Sequence, residues 1–251
     1  MIALLSIILF FLLLIVGKSR GVKTFVTFYL SIILIITYII LMNLGFNAII
    51  LALMVCILAS CISLFMLNGY NLKTLSSFIS IMIVLIFITS LTYTIGKVSN
   101  IQGFTSDSVE TIGSFSYLIN YDMTSVLIGM YLICVIGTII DTSISVSTSM
   151  NEVLGNNPNI KEKELYKSGM NIGEDILSTT INTLFFAIIS SFIGFFMWHR
   201  NTPISYIINH KVFAQTTIEL LLSFIASILI IPITSYISSK ILYKKELIKD
   251  E

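Results

Sequence analysis

Residues 137–145 read GTIIDTSIS, which places the carboxylate of Asp141 inside one of the most apolar segments of the chain. A charged side chain held in hydrocarbon costs roughly 2.5–3.5 kcal/mol or more. Such residues normally face a bundle interior or a water-filled path, where they carry protons or ions. Of the 13 acidic residues, one other falls well inside an apolar run: Glu219, in TTIELLLSF. The chemistry this pair suggests is proton or ion movement, not bond cleavage. Spacing of three and four gathers residues on one helix face. Around Asp141 that face holds Cys134, Gly137, Thr138, Ser145 and Thr148, and Ile136, Ile140 and Ile144 lie opposite. The expectation is therefore an inward-facing Asp141, with the isoleucines meeting lipid or an apolar neighbour.

The next apolar stretch supplies groups that can donate to a carboxylate. Thr179, Asn182 and Thr183 share a face in STTINT, at a depth similar to Asp141 if the two helices are antiparallel neighbours. Glu174 and Asp175 lie one turn nearer the cytoplasmic side, as a candidate mouth. The candidate path is thus Asp141, Thr138, Ser145, Thr179, Asn182 and Thr183, with Glu219 as a second carboxylate toward the outside. In the last helix Gln215, Glu219, Ser223 and Ser227 recur every four residues. Pro232 follows, with Thr234 and Ser235 positioned to satisfy backbone groups that the proline frees. The competing reading is structural. Ser and Thr in membrane helices usually bond their own backbone, Asp141 can sit as a neutral carboxyl group, and Glu219 can reach the external interface.

Other chemistry is not indicated. No HExxH, GxSxG or P-loop pattern occurs. Cys56, Cys61 and Cys134 lie in apolar runs without CxxC or Cys/His spacing, so no metal site, disulfide framework or cofactor is expected, nor an enzyme. An intramembrane aspartyl protease needs a second aspartate facing the first, whereas Asp122 lies at the far edge of its span. His199, Arg200 and His210, beside Trp198, read as interfacial anchors.

These residues must be positioned by membrane helices. The 251-residue chain is 56% hydrophobic and 11% charged, with mean hydropathy +0.99, too little charge to cover a soluble domain. Apolar runs of about 18 residues or more read as spanning helices. Seven are expected, at 1–16, 25–42, 48–67, 75–95, 124–147, 176–198 and 213–239. The fold class is an all-α membrane protein, a single integral domain over 1–251. It comprises an extra N-terminal helix and basic loop (1–24), helices two to four (25–95), the motif-bearing helices five to seven (124–239) and a tail (240–251). Lys and Arg accumulate in cytoplasmic loops. Eleven of the 14 basic residues fall after spans one, three, five and seven, and Lys97, Arg200 and Lys211 fall between the others. The expected orientation is N-terminus outside and C-terminus inside. The expected location is a bacterial cytoplasmic membrane, with the lipid bilayer as partner; a net charge of +1 suggests no nucleic acid. The external loop 96–123 carries Asp107, Glu110 and Asp122. The cytoplasmic loop 148–175 holds a GNNPN turn and then a short helical KEKELYKSG segment.

The runs GTIIDTSISVSTSMNEV, ELYKSGMNIGEDILSTTINTLFFA, IELLLSFIASILIIPITSYI and LNGYNLKT together resemble the YibE/F family of bacterial membrane proteins over roughly residues 25–240. The residues that carry the likeness are Asp141, Lys167 to Asn171, Asp175, Thr180 to Thr183, Glu219, Pro232 and Thr234. The resemblance implies a short, YibF-like member working as a homo-oligomer or with a longer YibE-like subunit. The GTIID helix followed by a Thr-rich helix is also similar to the membrane half of SecD/SecF and related RND permeases. That likeness implies a proton-coupling Asp141 and an RND-like arrangement of helices two to seven, although NLGFN stands where that fold carries a large external domain. The function expected is one half of a proton-coupled transporter or conduit. The alternative is a non-catalytic assembly or stability subunit of a membrane complex.

Overall fold

The computed structural model describes residues 1–99, 101 and 122–249. Asp107 and Glu110 lie outside the described residues. The chain runs through α1 (Ile2–Asn43), α2 (Ala48–Cys61, continued by a π-helical turn Ile62–Met66), α3 (Leu72–Val98), α4 (Met123–Asn156), α5 (Glu162–Trp198), the short α6 (Ile204–Asn209) and α7 (Lys211–Lys249). Six of these are long and apolar enough to cross a membrane. The first is not one rod. Lys18 takes φ 48°, ψ −124°, and the chain doubles back on itself there. Ser6 meets the Tyr29 hydroxyl, and the Phe10 and Phe25 ring centroids are 4.9 Å apart, where a straight helix would separate such residues by roughly 22 Å. Arms 2–17 and 19–43 thus form a tight hairpin, which raises six apolar rods to seven. Gly21 permits the approach: a Cβ there would lie 1.8 Å from the Leu13 carbonyl oxygen.

The turns follow local chemistry. Gly45 and Gly69 hold positive φ at 89° and 72°, which glycine adopts without a Cβ clash. Asn47 caps α2 by accepting from the Ile49 and Ile50 amides, and Asp122 caps α4 through the Thr124 amide. Each side-chain oxygen satisfies amides that the first turn leaves unpaired.

Helices α4 and α5 are longer than hydropathy alone suggests. Most of the expected 148–175 loop is helical, and only 157–161 connects the two. Val146, Met150 and Leu154 repeat every four residues, and with Leu165, Ile231 and Leu242 they form a second apolar core beyond the first. Periodic packing extends these helices where the continuous apolar run has ended.

α4 is the hub, packed against α2, α3, α5 and α7. Its Leu127, Ile128, Tyr131, Leu132, Val135, Ile136, Ile139 and Ile140 join residues of α2, α3 and α7 in the main core. Gly96 of α3 lets Ile128 come close, and Gly173 of α5 sits against Ile231 of α7. At one end of the bundle the Lys73 carbonyl meets Ser147, and Lys240 feels the charge of Glu162. Lys73, Glu162 and Lys240 therefore lie at the same end.

Candidate functional site

The rotation of α4 is set by hydroxyl contacts from Ser143 and Ser147 to α3 and α7. Ser143 contacts Thr234 of α7 at 3.0 Å and donates to the Ser77 carbonyl of α3 at 3.3 Å. Ser147 donates to the Lys73 carbonyl at 2.8 Å and meets Ser76 at 2.9 Å. Ser238 of α7 donates to Ser76 at 3.0 Å. Ser76, Ser77, Ser143, Ser147, Thr234 and Ser238 have no exposed surface. Thr142 and Ser235, equally enclosed, have hydroxyls without a hydrogen-bond partner. This seam across α3, α4 and α7 was not anticipated, because each serine in isolation reads as bonded to its own backbone. A recurring serine at spacing four on all three helices is the signal that could have found it.

The seam has a consequence for Asp141. Ser143 lies about 160° around the helix from Asp141, so turning the serines inward turns the aspartate outward. Asp141, Gly137, Ser145 and Cys134 are exposed on the outer face of α4, whereas Ile136 and Ile140 are buried. This corrects the expected inward-facing stripe: the isoleucines took the apolar-neighbour position, and of the face around Asp141 only Thr138 is buried, with Thr148 partly so. Asp141 has no hydrogen-bond or ion-pair partner among the described residues. A Cβ built on Gly137, one turn away, would meet nothing within 4 Å, so this face is open.

The expected donors on α5 are also exposed. Thr179 and Thr183 donate to the carbonyls of Ile176 and Thr179 in their own helix, at 2.8 and 2.9 Å. Asn182, Glu174 and Asp175 lie on the exposed side as well. Measured from the 157–161 connection, Asp141 is about four turns along α4, Thr179 just under five turns along α5, and Asn182 between five and six. Thr179 matches Asp141 in depth, and Asn182 sits a turn too far.

Glu219, on α7, has the richer surroundings. Its carboxylate takes a hydrogen bond from Gln215, whose amide also reaches the Met130 sulfur at 3.9 Å. Its charge acts on Tyr131 and Cys134 of α4. The Cys134 thiol bonds Ser223, and the Ser223 hydroxyl donates to the Glu219 carbonyl at 2.8 Å. Tyr131 is fully buried with an unbonded hydroxyl. Cys134 is two turns from Asp141 on the same exposed face. Glu219 thus acts near the level of Cys134, about 10 Å along α4 from Asp141. Farther along α7, Thr234 bonds across to Ser143 and Ser235 has no partner, so neither serves the backbone near Pro232 as expected.

The bundle end opposite Lys73 and Lys240 also departs from expectation. His199 and His210 are each only 8% exposed. Their rings pack against one another, tilted by 54° with centroids 5.2 Å apart, so they are packed groups and not anchors lying free at an interface.

Among the described residues no group of three or more His, Cys, Asp or Glu is placed to hold a metal ion. What the site offers is a polar, carboxylate-bearing face along a membrane helix. No curated protein and no solved structure matches the chain. A family model described as YibE/F-like protein matches residues 5–244, nearly the whole length, and the chain belongs to that family.

Proposed function

We propose that this membrane protein is one half of a proton-coupled, RND-like transporter or conduit, and that a second subunit, homologous or identical, covers the Asp141 face. The observation that supports this reading is the open, partnerless Asp141 on the outer side of α4. A carboxylate facing lipid is costly. A second subunit laid along α4 would enclose it, together with Glu219, in a polar path between the halves. Asp141 takes and gives up the proton in that path, and Glu219 serves the end nearer Asp122. Thr138 and Ser145 line the approach, and Thr179, Asn182 and Thr183 become donors once the second subunit brings α5 and α4 into one enclosure.

The test is purification from native membranes under mild conditions, with partners identified by mass spectrometry, followed by reconstitution of the complex into liposomes loaded with a pH-sensitive dye. Wild-type complex is expected to carry protons, and Asp141→Asn complex to lose at least tenfold of that flux at unchanged yield. Full flux from the variant would defeat the reading. A second reading, an assembly or stability subunit, is favoured by Thr179 and Thr183 bonding only their own backbone. It predicts instead that Asp141→Asn lowers the yield of the complex and leaves no separable loss of flux.

A further inference from the structure

At the bundle end that holds Lys73 and Lys240, a groove of about 320 Å³ opens between the start of α5 and the last turns of α7. Its walls are Glu162, Lys163 and Tyr166 of α5 and Tyr236 and Ser239 of α7. Such a volume lies at the low end of small-ligand sites, about 300–1,000 Å³. The buried Ser239 donates its hydroxyl to the Tyr236 carbonyl at 2.9 Å, so it has no donor left for a ligand. Lys240 stands beside the groove. Its Nζ lies 4.5 Å from the centroid of the Tyr236 ring; it bonds the Tyr236 side chain and is drawn toward Glu162. Lys163 and Tyr166, by contrast, have no hydrogen-bond or ion-pair partner among the described residues. An ammonium and a phenol hydroxyl thus face the groove with their donors unused.

We infer that this groove binds the headgroup of an anionic phospholipid, with the phosphate held by Lys163, the Tyr166 hydroxyl and Lys240. Charge selects the sign of the ligand. Glu162 balances Lys240, which leaves the Lys163 ammonium unopposed, and residues 161–167 together with Lys240 carry four lysines against two glutamates. Anionic headgroups are attracted to basic residues that adjoin a membrane span. Position selects a lipid over a free anion. The groove lies where the spans of α5 and α7 end, the level at which tyrosine rings settle and lysine stems lie on apolar surface with the ammonium in water. Its walls are largely ring faces. Farther into the span Met170 stands one turn beyond Tyr166, and Ile233 one turn before Tyr236, both half-buried. Glycerol and acyl chains can follow that apolar line, which an inorganic anion leaves unused. Glu162 repels the phosphate and therefore tempers the binding, which gives the test a sign. The inference stands independently of any role for Asp141.

The experiment uses the full chain in detergent, offered an equimolar mixture of phosphatidylglycerol and phosphatidylcholine with matched acyl chains. Native mass spectrometry then counts the lipid retained. Wild type is expected to prefer phosphatidylglycerol by about fivefold or more, the effect of one lysine at an anionic surface. Lys163→Gln is expected to lower that preference about fivefold. Glu162→Gln is expected to raise it, a change that damage to the fold would not produce. Lys97→Gln, at the other end of α3, is the control and should leave the preference as it is. Equal retention of the two lipids by wild type, or an unchanged preference in either groove variant, would overturn the inference. Displacement of phosphatidylglycerol by millimolar inorganic phosphate would assign the groove to a free anion and overturn the lipid as its ligand.

Discussion

Ser76→Ala tests the seam that sets the rotation of α4. The Ser76 hydroxyl meets Ser147 at 2.9 Å and Ser238 at 3.0 Å, and lies 2.9 Å from the Lys73 carbonyl. Ser147 has a second partner in the Lys73 carbonyl, but the bond to Ser76 is the hydrogen bond that the Ser238 hydroxyl makes among the described residues. The substitution therefore removes two contacts between helices and strands one buried hydroxyl. Such bonds between membrane helices average about 0.6 kcal/mol, and a buried unpaired hydroxyl adds about 1–3 kcal/mol. The expected destabilisation is about 2–4 kcal/mol, read as reversible unfolding by steric trapping in bicelles. Ser80→Ala is the control: that hydroxyl is equally buried but donates only to the Ser76 carbonyl in its own helix, and its loss is expected to stay within about 0.5 kcal/mol. A cycle with Ser238→Ala should give a coupling of about 0.6–1.7 kcal/mol. Equal costs for Ser76→Ala and Ser80→Ala, with no coupling to Ser238, would refute the idea that hydroxyl contacts fix how α4 is turned.

Three further outcomes are expected. Gly173→Ala places a Cβ 2.2 Å from Ile231 Cγ2, so α5 and α7 must part; overpacking of this kind costs about 1–3 kcal/mol, measurable by the same unfolding assay, and no loss would argue against close α5–α7 contact. Gly21→Ala meets the Leu13 carbonyl oxygen and should splay the N-terminal hairpin, abolishing disulfide cross-linking between cysteines introduced at Ser6 and Tyr29 in a background free of other cysteines. The Asp122 carboxyl is held below its usual range, chiefly by the hydrogen bond from Ser125, with the Thr124 amide assisting. A lowered folded value means that its capping contribution is present above the ordinary carboxylate range and lost as pH falls through the folded value. Ser125→Ala should move its titration upward by infrared or NMR, and an unmoved titration would deny the bond.

Hydropathy and length made the membrane class, the seven rods and the two membrane carboxylates readable from the sequence, because each is a property of a contiguous segment in a solvent that forbids unpaired backbone. The helical reach of 148–175 was not, since Val146, Met150 and Leu154 give a periodic signal, not a continuous apolar one. The facing of Asp141 could not be read either. One helix face can be drawn through Cys134, Gly137, Asp141 and Ser145, and another through Ser143 and Ser147, and nothing in α4 alone says which turns inward. That choice belongs to α3 and α7, whose Ser76, Ser77 and Thr234 supply partners for the serines and none for the aspartate. Likewise, ten residues lie between His199 and His210 in the chain, and only the fold of α5, α6 and α7 brings both rings against Phe195. The sequence by itself determined which residues enter the membrane, because transfer from water is a local cost. Tertiary structure alone decided which of them meet, because a hydrogen bond or a stacked ring needs its partner from another helix.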